Sequence, residues 1–69
     1  LKYKDVKSNV IYFVNEVNGL PMVCYVIPNA IINMTPQPYY IYDSLEEAQT
    51  ALKEMSIHYG WKPLKEGEI

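Results

Sequence analysis

The chain has 69 residues, 49% of them hydrophobic and 20% charged, with a formal net charge of −2. That is room for one small core, near the lower size at which a chain folds unaided, and it is too apolar for a disordered segment. A single Cys excludes a disulfide framework within the chain, one His with one Cys is too few for the usual zinc site, and no apolar run approaches the roughly 20 residues that cross a bilayer.

Residues 1–7 are polar and carry Lys2, Lys4 and Lys7; they read as a lead-in with a short edge strand around Tyr3. Residues 9–17 are rich in β-branched and aromatic side chains, which suit a pleated surface. Asn18-Gly19 follows, a pair that accepts positive φ at both centres of a type I′ turn, so residues 20–27 form the return strand of a hairpin. A two-residue turn sets Val17 opposite Leu20, Val14 opposite Val23, Phe13 opposite Cys24, Tyr12 opposite Tyr25 and Ile11 opposite Val26. One face then holds Val10, Tyr12, Val14, Val23, Tyr25 and Ile27. The other holds Ile11, Phe13, Val17, Leu20, Met22, Cys24 and Val26. Both are apolar, and a single short helix covers only one, so the second face is expected to need another cover.

Residues 28–38, with three prolines and two asparagines, form a loop. Its Ile31, Ile32 and Met34 suit a further short strand or a flap over the core. Its Asn33-Met34-Thr35 matches a glycosylation acceptor in form, with Pro36 next and no secretion signal visible. Residues 39–42 are a short aromatic strand. Ser44 with Glu47 three positions on is a capping box, and it starts a helix over residues 44–59. Leu45, Ala48, Leu52, Met55 and Tyr59 recur on its buried stripe. Gly60 supplies the left-handed stop, Trp61 folds back on Met55, and the tail over residues 61–69 offers a fourth strand at 61–64. The expected fold is α+β: a three-stranded antiparallel sheet, or four with the tail, and one C-terminal amphipathic helix on one face, in a single domain.

Catalytic chemistry finds no constellation. His58 is alone near the helix end, where a basic side chain meets the negative pole, and no nucleophile or orienting group accompanies it. Cys24 lies among apolar strand neighbours, where a thiol acts as a small hydrophobe. Glu46 and Glu47 are explained by capping, and the three glycines at 19, 60 and 67 make no phosphate loop. The chain is therefore read as no enzyme, with no cofactor and no metal.

From residue 9 to residue 55, the order of strand, Gly-containing turn, two more strands and a helix opened by a polar cap resembles in topology the AP2-like arm-binding domains of tyrosine recombinases. That resemblance implies a DNA-binding sheet whose Arg and Lys reach phosphates and guanine edges. This chain departs from the pattern: it has no Arg, residues 9–27 hold no basic side chain but do hold Glu16, and most lysines lie near the chain ends. No DNA-contact residue is carried over.

Tyr12, Tyr25, Tyr40 and Tyr42 remain, expected to share one aromatic sheet face with the makeup of an interface core. The first functional expectation is a protein-interaction module, a small regulator, adaptor or inhibitor, that binds a protein partner or itself as a homodimer through these four residues. The second is a nucleic-acid binder using the same rings and the Lys2, Lys4 and Lys7 arm. The third is an appendage of a larger protein, since a chain beginning at Leu1 reads as trimmed or cut from a longer one. A lone thiol fits the cytoplasm, no membrane role is expected, and the Lys-, Asn-, Ile- and Tyr-rich composition suits a low-GC bacterial or phage origin.

Overall fold

A computed structural model describes residues 1–28 and 36–65. They form β1 (Lys2–Lys4), β2 (Ile11–Val17), β3 (Leu20–Val26), β4 (Gln37–Ile41), α1 (Leu45–Tyr59) and β5 (Lys62–Leu64). The strands make one antiparallel sheet in the order β4-β3-β2-β1-β5 with α1 packed on it, an α+β fold. The expectations for Ile31, Ile32, Met34 and the Asn33-Met34-Thr35 triplet lie outside the described residues.

The hairpin follows from its turn. Asn18 and Gly19 both have positive φ, 54° and 77°, and the pairing runs from Val17–Leu20 to Ile11–Val26 in the expected register. The lead-in forms a second hairpin. Asp5 N–H donates to the Val10 carbonyl (2.9 Å), Asn9 N–H donates to the Asp5 carbonyl (2.7 Å), and Asn9 itself turns through φ 65°. These bonds fold β1 back along β2, so Tyr3 lies beside Tyr12.

β4 and the position of β1 differ from the sequence expectation, while β5 falls within the expected residues 61–64. β4 begins at Gln37, inside the expected loop, and its register slips between Val23 and Cys24. Val23 faces Tyr40 but Cys24 faces Pro38, which leaves Tyr39 as the extra residue of a bulge. Pro38 lacks a backbone donor, and an edge strand with a bulge tolerates that loss. β5 pairs with β1, so β1 is an inner strand, and Pro63 sits on the outer edge.

The helix is closed at both ends. Ser44 Oγ accepts the Glu47 N–H (3.1 Å), and Glu46 and Glu47 occupy the positive first turn. At the other end Gly60 takes φ 72°, and the Ser56 carbonyl accepts from the N–H groups of both Gly60 and Trp61. That is a Schellman-type stop, accompanied by packing of Met55 against the cluster that contains Trp61. Ala48, Leu52 and Ser56 are buried, and Ser56 satisfies its hydroxyl by donating to the Lys53 carbonyl (2.6 Å).

The core on the helix side joins Tyr3, Val23, Leu52 and Trp61, with Tyr12, Val14, Tyr42 and Met55 packed around them. The helix therefore sits on the face that carries Tyr12 and Tyr25. The opposite face is also closed over much of its length: Ile11 is 1% exposed and Cys24 2%, and Met22 and Val26 are buried as well. For these four side chains the further cover expected of the second face is present within the chain itself.

Two ends of the helix can be tested apart. Ser44→Ala should cost about 1 kcal/mol, by releasing the Glu47 N–H. Gly60→Ala should cost about 1–2 kcal/mol. A Cβ at Gly60 meets nothing within 4 Å, so that loss comes from backbone conformation alone. Urea unfolding should show lower midpoints at unchanged slope for both variants, and an unchanged midpoint for Gly60→Ala would remove the role given to its left-handed turn.

Candidate aromatic interface

The site is built from the points where chain direction changes. After Gly60 the chain reverses and lays the Trp61 indole flat on the Tyr12 ring, with centroids 3.9 Å apart and planes at 5°. Tyr59, on the last helical turn, also stacks on the indole, at 5.4 Å and 22°. His58 stands edge-on to Tyr59 at 4.7 Å.

The bulge in β4 supplies the other side. Strict alternation from Tyr40 would send Tyr39 to the face away from the helix. Instead Tyr39 packs edge-on to Tyr12 (5.7 Å) and Tyr25 (6.4 Å), while Tyr12 and Tyr25 meet at 6.3 Å. The result is a continuous run of rings, Tyr25, Tyr39, Tyr12, Trp61 and Tyr59, crossing from β4 to the end of α1. Trp61 is buried and forms the floor, Tyr12 and Tyr25 are half-buried, and Tyr39 and Tyr59 are 49% and 58% exposed.

The four tyrosines expected to form one surface separate into two groups. Tyr12 and Tyr25 belong to this run. Tyr40 and Tyr42 form their own pair at 4.9 Å, with Tyr40 exposed and Tyr42 packed on the core. Sequence reasoning missed three members. Tyr39 was hidden by the bulge, for which Pro38 inside the strand is the available signal. Trp61 was placed at the helix stop but not on the sheet. Tyr59 was assigned to the buried stripe, and it is exposed because Trp61 takes the place over Tyr12. Leu45, assigned to the same stripe, is also largely exposed, in the first helical turn.

The electrostatics fit a polar-tipped apolar surface. Burial pushes the Tyr12 phenol above its ordinary value of 10.0, with Tyr39, Asp5, Tyr25 and Tyr59 adding to the shift. Burial raises Tyr42 in the same way, aided by Tyr40 and Tyr39. Cys24 lies on the far side of the sheet, and burial pushes its thiol up, away from the reactive thiolate. The sheet separates it from His58 on the helix side. Among the described residues no group of three or more His, Cys, Asp or Glu is placed to hold a metal ion, and no helix is long and apolar enough to cross a membrane.

A raised phenol is a stability statement. The neutral form is favoured in the folded chain, so this contribution is intact below about pH 10 and is lost as pH rises through the folded values. Urea midpoints taken across about pH 8–11 should therefore fall at the alkaline end, and the Tyr12→Phe, Tyr42→Phe double variant should flatten that fall. An alkaline fall of the same size in the double variant would mean that the two phenols titrate alike in the folded and unfolded chain.

No protein-family model, curated protein or solved structure matches the chain.

Proposed function

We propose that this chain is a non-enzymatic protein-interaction module that binds a protein partner, or a second copy of itself, through the ring surface of Tyr12, Tyr25, Tyr39 and Tyr59 on its Trp61 floor. The single observation that carries this reading is the exposure of Tyr39 and Tyr59 within an otherwise packed aromatic run. Tyr and Trp offer large contact area at low entropic cost, and their polar tips tolerate water until a partner arrives. Tyr40, exposed further along β4, would extend the contact in the manner first expected for the four tyrosines.

A nucleic-acid chain suits this ring surface less well. Lys2, Lys4 and Lys62 alternate with the helix-side positions Tyr3 and Pro63 and so belong to the other face, and Asp5 lies close enough to Tyr12 to raise its pKa. Stacking of bases needs positive charge beside the rings to hold the phosphates. The absence of enzyme activity is part of the proposal, supported by the separation of Cys24 from His58. A cytoplasmic setting is supported by the lone buried thiol.

The test uses Tyr39→Ala with Tyr59→Ala, two positions whose side chains are too exposed to hold the core. Sedimentation velocity over a wide concentration range should show self-association, or affinity capture should retain a protein, with wild type only. The expected loss is about thirtyfold or more in affinity, the size of at least one hot-spot truncation. Retention of the same partner at the same affinity by a folded double variant would reject the ring surface as the contact.

A further inference from the structure

The sheet keeps the lysines of β1 and β5 on the face away from its tyrosine run. In β1, Tyr3 points to the helix-side core, so Lys2 and Lys4 point to the opposite face. Across the register, Lys4 lies between Ile11 and Lys62, and Lys2 lies between Phe13 and Leu64. The Lys2 ammonium stands 5.5 Å from the centre of the Phe13 ring, a cation–π contact that pre-places it. Lys4, Lys62 and Lys65 line one open groove along this edge, together with Asn9. These lysines come from the two ends of the sequence, and the pairing of β1 with β5 gathers them.

Five of the six lysines thus lie on β1, the turn after it, β5 and the residue that follows β5. The carboxylate on those elements, Asp5, accepts the Lys7 N–H (3.0 Å). Four acids, Asp43, Glu46, Glu47 and Glu54, lie before or along α1, and the three glutamates line a groove beside Tyr42, just past β4 at the other edge of the sheet. Among the described residues, the lysines of β1 and β5 thus stand apart from the glutamates of α1, and such a separation orients an approaching polyanion.

We propose that the β1–β5 edge binds the phosphate backbone of nucleic acid without sequence preference, through Lys2, Lys4 and Lys62. Lys2 and Lys4 recur at about 6.8 Å along the strand, a row of point charges suited to a repeating phosphate chain. No Arg is present for bidentate reading of guanine, so the contact positions the backbone and does not read bases. This surface lies on the other side of the sheet from the rings and does not depend on them.

Fluorescence anisotropy with labelled single-stranded and duplex DNA of mixed sequence, titrated with the full chain over about 20–200 mM salt, tests it. Binding to duplex should weaken with salt at a log–log slope of about −3, the value for three neutralised phosphates. Lys4→Glu with Lys62→Glu should weaken it about tenfold or more at low salt. Two glutamates facing each other across β1 and β5 could loosen the edge, so Lys4→Gln with Lys62→Gln serves as the second variant and should also weaken binding. Lys53→Glu, on the helix, should change it less than about twofold. No binding at the lowest salt would overturn the proposal. So would an equal loss with Lys53→Glu, or equal affinity for poly-glutamate, which would make the edge a site for acidic protein. The Tyr39→Ala, Tyr59→Ala variant should bind DNA as wild type does, and loss of DNA binding in that folded variant would place the contact on the rings.

Discussion

The stack of Trp61 on Tyr12 is the contact on which the rest of the molecule turns. It exists because Gly60 adopts a left-handed conformation and lets the chain reverse within one residue. The indole then seals the end of the core beyond Leu52 and Met55, where the helix no longer reaches. The same reversal sends the chain out along β1 as β5. An aromatic pair of this kind contributes about 0.5–1.5 kcal/mol beyond its buried area, a sizeable share of the stability of so small a domain. The strand pairing that follows sets Lys62 beside Lys4.

The sheet divides the chemistry into two compartments. On the helix side lie all the ring contacts between aromatic residues of the sheet, with Asp5 beside Tyr12. On the other side lie the β1 and β5 lysines, Phe13 and the closely buried Ile11, Cys24 and Val26. The period of two along each strand enforces this sorting, because Lys2-Tyr3-Lys4 and Lys62-Pro63-Leu64 alternate in register with the neighbouring strands. A small domain can thus present an aromatic surface and a cationic one without either weakening the other through unfavourable desolvation.

Much of the fold was legible in the residues. Asn18-Gly19 dictated the hairpin and its register through backbone conformation, and Ser44, Glu47 and Gly60 marked the ends of α1 through hydrogen bonds any helix must satisfy. β4 was only half legible, because a bulge breaks the alternation from which faces are read, and Pro38 looked like a loop residue. The order of strands was not legible: β1 and β5 are three residues each, and what unites them is a long-range pairing between the chain ends that leaves no local pattern. The candidate site inherited these errors. Tyr12 and Tyr25 followed from the hairpin register, but Tyr39, Tyr59 and Trp61 reach the site through the bulge and the left-handed turn.

Those two irregularities act on the same place. A regular β4 would have turned Tyr39 to the far face, beside Cys24. A helix running on past Tyr59 would have covered Tyr12 and Tyr25 with its own stripe. Instead the bulge brings one ring in from the sheet edge and the Gly60 turn brings two from the helix end, and both meet at Tyr12. Bulges and left-handed residues are conformations that cost something locally, and they persist where the surroundings compensate. Here the compensation is partial, since Tyr39 and Tyr59 stay about half in water. That half-exposed surface is the observation from which the proposed binding role is argued.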